Sequence, residues 1–312
     1  MISLSDKRIG VTGGNGFLGK HVISSLKRNG ILEENIIAPV SQEVDLTNPI
    51  ETDEFVEKCD IIIHLAAKVG GILFNKKYPA NLLVDNLKMG INIYESCHKH
   101  SIKKLVNIGT TCMYPEHASL PFKEEDIWNG YPVSVTAPYG ISKKVLFELS
   151  KTYSTQYGLN SINLIPVNLY GPEDHFDGEN THVVPALIKR IFESKTNNLP
   201  FLDVWGSGIA TREFLYVEDA AEGIVKALSF YDDYVPINLG TGIETSIKNL
   251  VTLICDIQGY QGEIRWDTTK PDGTLRRCVD TEKAVDRFRF KADTSLKDGL
   301  EKTISWFIEN KL

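Results

Sequence analysis

The stretch RIGVTGGNGFLG, residues 8–19, most limits the folds open to this chain. A short apolar run meets a glycine cluster and passes directly into HVISSLKRNG, where apolar residues recur at helical spacing until a glycine closes the pattern. Strand, tight turn and helix therefore follow one another without a linker. Gly13, Gly16 and Gly19 carry the G-x-x-G-x-x-G spacing. That spacing lets backbone approach a pyrophosphate, while the helix amino terminus offers amide donors and a positive dipole end. A dinucleotide is the ligand this turn points to.

The alternation continues. A second strand is predicted over Asn35 to Val40, and a third, DIIIHLAA over Asp60 to Ala67, is apolar almost throughout, as a strand buried on both faces should be. His64 within it reads as a core histidine. A carboxylate at the end of the second strand would bind the ribose 2′-hydroxyl of NAD; Pro39, Val40 and Ser41 stand there instead. The missing carboxylate removes a repulsion against a 2′-phosphate and leans the choice to NADP(H), although no arginine is evident to hold it. Asp45 and Leu46 suit an adenine contact or, equally, a cap before Asn48 and Pro49. The loop AAKVGGI, broken by two glycines, suits close passage beside a cofactor or sugar. Residues 78–99 have helical periodicity, and KLVNIG, 104–109, is the next buried strand.

That strand delivers TTCMYP, residues 110–115, to the carboxyl edge of the sheet, where ligands bind in open α/β folds. Thr110 or Thr111 is placed to hydrogen-bond a substrate carbonyl. Cys112, two residues on, would project to the same side of an extended chain as Thr110. In TAPYGISKK, Tyr139 and Lys143 lie four residues apart on one face of a predicted helix. An ammonium group near a phenol favours the phenolate, so the pair reads as a proton donor and its tuner.

Beyond SINLIPVNLYGP, residues 161–172, an irregular polar loop leads to a helix beginning near His182 and carrying Arg190. Trp205 and Arg212 flank a glycine-bearing loop before the next helix. Arginines and aromatic residues gather in loops here, the composition expected around a phosphate-bearing ligand with a planar base. The strand and helix alternation predicts a doubly wound parallel sheet over 1–172, with a smaller lobe over 173–312 that returns some strands and helices to the first domain.

The net charge of -7 in 312 residues argues against nucleic acid and anionic membrane as partners. No apolar run approaches the roughly 18 residues of a membrane span, and MISLSDKRIG lacks a signal-peptide core, so a cytoplasmic protein is expected. Five scattered cysteines without a CxxC pair predict reduced thiols and no metal site.

Taken together, TGGNGFLG, HLAAKVGG, TTCMYP, YGISK, PVNLYGP, WGSG and REF resemble, in order and across almost the whole chain, the extended short-chain dehydrogenases/reductases. The narrower signals AAKVGGI, PVNLYGPEDHF, THVVPALIKR and the cysteine of TTCMYP resemble those members that act on GDP-4-keto-6-deoxy-D-mannose, epimerising carbons 3 and 5 and reducing carbon 4. The resemblance implies a Rossmann-type sheet and an NADP(H)-dependent enzyme with a GDP-linked keto-sugar as substrate. It implies that Tyr139 donates a proton to the carbon 4 oxygen, that Lys143 holds the nicotinamide ribose, and that Thr110 replaces the family's serine. Cys112 and His182 match the epimerisation pair. Phe17, Leu18, Leu65, Ala66, Ala67, Pro166, Asn168, Leu169 and His182 join the glycines, Asp45 and Leu46 as cofactor contacts. Thr111, Asn168, Arg190, Trp205, Arg212, Asp272 and Arg277 match positions that bind the GDP-sugar. The chain departs from the family at Asn15 and near Pro39, where better-known members carry arginines, which leaves NAD(H) open. A GDP-4-keto-heptose reductase, with or without epimerisation, is the alternative enzyme; a non-catalytic dinucleotide-binding regulator is the alternative outside enzymes. Similar enzymes form homodimers through a four-helix bundle of the helices near 85–99 and 139–157, where Leu146, Leu149 and Tyr153 suit core or interface.

Overall fold

Every hydrogen-bonded strand pair in the main sheet is parallel, and the strands that form its centre are buried along their whole length. The structure, a computed structural model, describes residues 4–178, 181–270 and 272–311. The start of MISLSDKRIG, Glu179 and Asn180 of the polar loop, Pro271 of KPDGTLRR and the last residue lie outside the described residues.

In chain order the first lobe runs β1 (Ile9–Thr12), α1 (Phe17–Arg28), β2 (Ile36–Ile37), α2 (Pro49–Val56), β3 (Ile61–His64), α3 (Ile72–Lys77), α4 (Pro79–Lys99), β4 (Lys104–Ile108), α5 (Ala137–Tyr157) and β5 (Ser161–Pro166). Then come β6 (Asn168–Tyr170), α6 (Val183–Thr196), β7 (Phe201–Trp205), β8 (Thr211–Tyr216), α7 (Val217–Phe230), β9 (Ile237–Leu239), β10 (Glu244–Ser246), α8 (Ile247–Gln258), β11 (Glu263–Asp267), α9 (Glu282–Phe288) and α10 (Leu296–Lys311). The main sheet is ordered β2-β1-β3-β4-β5-β9. The order reverses between β1 and β3, so their carboxyl ends open the crevice in which such sheets bind ligands.

Two apolar cores sandwich this sheet. One lies under α1 and α7 and includes Ile9, Val22, Leu26, Ile224 and Leu228; the other lies under α2, α4 and α5 and includes Phe55, Ile93 and Leu146. The strand expected over 35–40 is only two residues long, because Glu33–Asn35 form a 3₁₀ turn and Pro39 has no N–H to extend the ladder. The second lobe has its own core around Tyr170, Ile188, Phe214 and Ile254, with sheets β10-β8-β6 and β11-β7. Its first strand, β6, begins at Asn168, ahead of the expected boundary at 172, whereas α7 and β9 return to the first lobe.

Glu213 on β8 joins the two lobes. It is 1% exposed, and its Oε1 accepts the amides of Thr241 at 2.5 Å and Gly242 at 2.8 Å while Oε2 accepts that of Val279 at 2.9 Å. Asn168 Nδ2 donates to its carbonyl at 3.0 Å. One carboxylate thus satisfies three backbone donors, two in the loop after β9 and one just before α9. Glu213→Ala leaves the buried Val279 amide unmet, at about 1–3 kcal/mol, while the amides of half-buried Thr241 and exposed Gly242 turn to water, so urea unfolding should show a stability loss of about 1–3 kcal/mol.

Candidate active site

The glycine turn forms the floor of the crevice. Gly13 has φ +69°, which side chains rarely adopt, and a Cβ there would lie 2.9 Å from the Ala66 amide nitrogen. At Gly19 a Cβ would sit 2.1 Å from the Gly13 carbonyl oxygen and 2.6 Å from the Gly14 Cα. Only a missing side chain lets α1 come this close to β1. Gly16 caps α1 without a side-chain bond, and no acidic residue stands in the first turn, so the amides and dipole that open at Phe17 and Leu18 meet no competing carboxylate. Thr12 and His64 fasten the ends of β1 and β3: Thr12 Oγ1 lies 2.8 Å from His64 Nδ1 and accepts the Ala66 amide at 3.2 Å. Burial, with the charge of Lys143 added, pulls the His64 pKa down to about 3, so it is a neutral core histidine.

A cavity of about 1030 Å³ extends from this floor, above the roughly 300–1,000 Å³ usual for one small ligand. Asn15, Pro39, Val40, Ser41, Gln42, Asp45 and Leu46 line one part of it, and Lys68, which lines the same cavity, acts electrostatically on Asp45. Asp45 accepts the Thr47 amide at 2.9 Å and the Thr47 hydroxyl at 2.8 Å, so its carboxylate already holds a turn. Leu65, Ala66, Ala67, Pro166, Asn168 and Leu169 line the middle.

The far end gathers the polar groups. Thr110, Thr111, Cys112, Tyr139 and Lys143 line it together, with His182 from the start of α6. Thr110 to Cys112 is not the extended segment expected: Thr111–Met113 form a 3₁₀ turn, Thr110 caps it, and its Oγ1 accepts the Cys112 amide at 3.2 Å. The turn presents both side chains to the cavity by curling rather than by strand alternation. Helix α5 packs on this turn through Gly140, where a Cβ would lie 2.2 Å from the Cys112 carbonyl oxygen. Tyr139 is thereby fixed beside Cys112. Arg277 Nη1 lies 3.7 Å from Cys112 Sγ.

The expected tuning of Tyr139 by Lys143 is not what the electrostatics give. Burial holds the phenol well above its ordinary range, with Cys112 adding to the effect, and burial also pulls the Lys143 pKa down to about 8. Desolvation outweighs attraction because both groups are nearly sealed from water, at 9% and 2% exposure. Tyr139 is a protonated donor at neutral pH and Lys143 a cation. His182 lines the cavity and keeps an exposed surface; desolvation on its cavity side, and then the charge of His175, hold its pKa below the ordinary imidazole value. A neutral His182 can accept a proton.

Arg212 and Arg277 line the cavity with Thr274. Arg212 Nη1 donates to the Thr211 and Thr274 carbonyls, each at 2.7 Å, and burial, with Arg277 adding, brings its pKa to about 10. Two neighbouring guanidinium groups favour a doubly charged anion. Arg190, Trp205 and Asp272, expected at the same ligand, do not line this cavity. Arg190 donates to the Asp203 carbonyl, Asp272 accepts the Ser207 amide at 2.7 Å and its hydroxyl at 2.8 Å, and Trp205 stands 61% exposed at the end of β7. Sequence reasoning missed Asp174 and His175, which line the cavity beside His182. The run EDHF reads as loop, and nothing local marks its second residue as buried.

Leu146 is fully buried and fills the space left by Gly90 of α4; Leu149 and Tyr153 pack on the same core. Leu146 serves the core of the chain itself, whereas Leu149 and Tyr153 are half-buried and keep part of their surface open. No helix is long and apolar enough to cross a membrane, and no cluster of metal-ligating side chains occurs among the described residues.

Comparison with known proteins agrees with this geometry. The GDP-L-fucose synthase of Sinorhizobium fredii (strain NBRC 101917 / NGR234) is 39% identical over 99% of this chain and 98% of its own. Among solved structures, a GDP-L-fucose synthetase from Naegleria fowleri bound to NADP superposes with a TM-score of 0.90 at 30% identity, covering 100% of this chain and 95% of that one. A GDP-6-OMe-4-keto-L-xylo-heptose reductase from C. jejuni gives 0.90 at 27% identity, covering 98% and 99%. The family model for the NAD dependent epimerase/dehydratase family matches residues 9–240, the span that holds the glycine turn, Thr110, Tyr139, Lys143 and His182, and this chain belongs to that family.

Proposed function

We propose that this chain is an NADP(H)-dependent epimerase/reductase that converts GDP-4-keto-6-deoxy-D-mannose to GDP-L-fucose. The observation that carries the reading is that Thr110, Cys112, Tyr139, Lys143 and His182 share one cavity with the glycine turn and with Arg212 and Arg277. The glycine floor, where any side chain would strike backbone, fits a dinucleotide pyrophosphate. The dinucleotide supplies a hydride for carbon 4 of the sugar.

The chain's own groups do the rest. Cys112 and His182 remove and return protons at carbons 3 and 5, which are acidic because the adjacent ketone delocalises the charge. The hydroxyls of Thr110 and Tyr139 bond the oxygen on which that charge develops. Tyr139 gives its proton to this oxygen as the ketone is reduced, and Lys143 holds the nicotinamide ribose. Arg212 and Arg277 take the diphosphate of GDP, with Arg190, Trp205 and Asp272 reaching the guanosine from outside the cavity. Asn15, Ser41 and Gln42 face the 2′-phosphate with neutral donors. The chain acts as a cytoplasmic homodimer packed through α4 and α5, whose outward residues Val84, Ile91 and Val145 are exposed; light scattering showing a monomer would remove that part. The similarity to a heptose reductase supports a second reading, reduction of a GDP-4-keto-heptose with Cys112 and His182 retained but idle.

Tyr139→Phe should lower NADPH oxidation with the keto-sugar by about 10²–10⁴-fold while leaving dinucleotide affinity within about twofold. In deuterated water the wild-type product should carry solvent deuterium at carbons 3 and 5, read by proton magnetic resonance; Cys112→Ser should lose that label and retain reduction. A product without label from the wild-type protein favours the heptose-type reading, and no NADPH oxidation with either ketone removes both. Because the Lys143 pKa is about 8, the ammonium is present below that value and lost above it. The rate should fall as pH passes about 8, and Lys143→Arg, charged at every accessible pH, should move that limb upward.

A further inference from the structure

Arg276 and Arg277 stand side by side before α9 and meet different partners. Arg276 is exposed and pairs with Glu244 on β10, as a surface arginine usually does. Arg277 is half-buried, lines the cavity and forms no ion pair among the described residues. Glu213 and Cys278 line a narrow gap beside it, but the oxygens of Glu213 already accept backbone amides. Among the described residues the one hydrogen bond of the Arg277 guanidinium runs to Cys112, from Nη1 to Sγ at 3.7 Å.

Both ends of that contact are set by backbone. Before Arg277, the Leu275 carbonyl accepts the Thr211 amide at 2.8 Å and the Thr274 carbonyl accepts Arg212 Nη1 at 2.7 Å. After it, the Cys278 carbonyl accepts the Phe122 amide at 2.8 Å and the Val279 amide donates to Glu213 at 2.9 Å. On the sulfur side, Thr110 caps the turn that carries Cys112, and Gly140 of α5 packs on its carbonyl. The segment before α9 therefore brings a cation to the one cysteine of the chain that is not buried. A neutral thiol is a weak acceptor, whereas a thiolate makes a charge-assisted bond to a guanidinium. A half-buried guanidinium aimed at a neutral sulfur loses water and gains little; aimed at a thiolate, it gains a partner of opposite charge.

We propose that Arg277 is a positioning residue for Cys112, holding its sulfur as a thiolate at the cavity wall, where it takes a proton from the carbon beside the sugar ketone. The inference deepens the epimerase/reductase reading and rests on it. The electron pair of the broken C–H bond passes to the ketone oxygen, and the sulfur becomes a thiol. The other charged and titratable groups at this end of the cavity are Tyr139 and Lys143 of α5, Arg212 of β8, Asp174 and His175 in the loop after β6, and His182 at the start of α6. None of them bonds the sulfur, so its hydrogen-bonding partner is Arg277.

Alkylation of the full chain by iodoacetamide across a pH series, read at Cys112 by peptide mass spectrometry, tests the contact without substrate. The other four cysteines are buried, and burial holds their thiols above the ordinary range, so Cys112 reacts first. Arg277→Gln should slow alkylation at pH 7 about tenfold and reach the wild-type plateau at high pH, its half-point displaced upward by about one pH unit. Arg277→Met, a second neutral side chain of similar length, should give the same displacement, so the comparison stands where the Gln variant folds poorly. Arg277→Lys should fall between Gln and wild type. Arg212→Gln removes the same charge without the contact and should displace the half-point less. At saturating GDP-4-keto-6-deoxy-D-mannose and NADPH in deuterated water, Arg277→Gln should lower the label at carbons 3 and 5 per NADPH oxidised about tenfold.

If the wild-type protein puts no label into its product, this inference and the epimerase reading fall together. If label forms and the neutral Arg277 variants follow the wild-type alkylation curve, or Arg212→Gln displaces that curve equally, only this inference falls. A loss of GDP affinity in Arg277→Gln by isothermal titration, with alkylation curve and label per turnover at wild-type values, assigns Arg277 to the diphosphate alone and also overturns it.

Discussion

The contact on which the rest depends is the approach of α1 to the turn after β1. At Gly19 the distance from a would-be Cβ to the Gly13 carbonyl oxygen is 2.1 Å, so the helix axis lies nearer the strand than any side chain allows. That closeness places the first-turn amides over the crevice between β1 and β3, and it gives α1 the position from which Lys20 and His21 hold the loop after β6. One packing constraint thus connects the phosphate site to the second lobe. The Thr12 to His64 bond does the same across the sheet, fixing the two strand ends whose separation defines the crevice.

Desolvation governs the chemistry at the other end. Tyr139 and Lys143 lose water more than they gain partners, His182 does so on its cavity side only, and each is driven toward its neutral form. The directions are useful: a phenol that keeps its proton, an imidazole free to accept one, and an ammonium that stays charged at neutral pH but is poised to lose its charge just above. The small residue at Gly140 makes this grouping possible, since α5 can rest on the Cys112 carbonyl only where no Cβ intervenes.

What could be read from the chain alone follows the range over which each signal acts. The glycine turn, the buried parallel strands and the Tyr139–Lys143 spacing are local patterns, and they located the sheet, its crevice and one wall of the site. Where conformation depends on competing local bonds the reading slipped. Thr110 Oγ1 captures the Cys112 amide and curls a segment that looked extended, and Pro39 stops a strand that looked six residues long. Burial is a property of the whole fold, so the sign of the Tyr139 shift could not be taken from a neighbouring lysine. For the same reason the burial of Leu146 is set by Gly90 of α4, which receives it, and not by its own helical spacing.

Unmet buried acceptors carry the information that sequence patterns lack. Among the described residues, Asn75 Oδ1, Asn107 Oδ1, Asn160 Oδ1, Asp174 Oδ2 and Gln258 Oε1 are buried without partners, and of these residues Asn75 and Asp174 line the cavity. Asn75 already donates to the Gly70 and Gly71 carbonyls at 2.8 and 3.0 Å, which shapes the glycine-broken loop after β3. Its carbonyl oxygen is sealed inside that loop, as Asp174 Oδ2 is inside the loop after β6. A water-exposed loop would solvate such atoms at no cost, whereas a cavity wall holds them desolvated in a set direction. Their position therefore marks where packing alone holds the walls of the cavity in place, a constraint that no motif records.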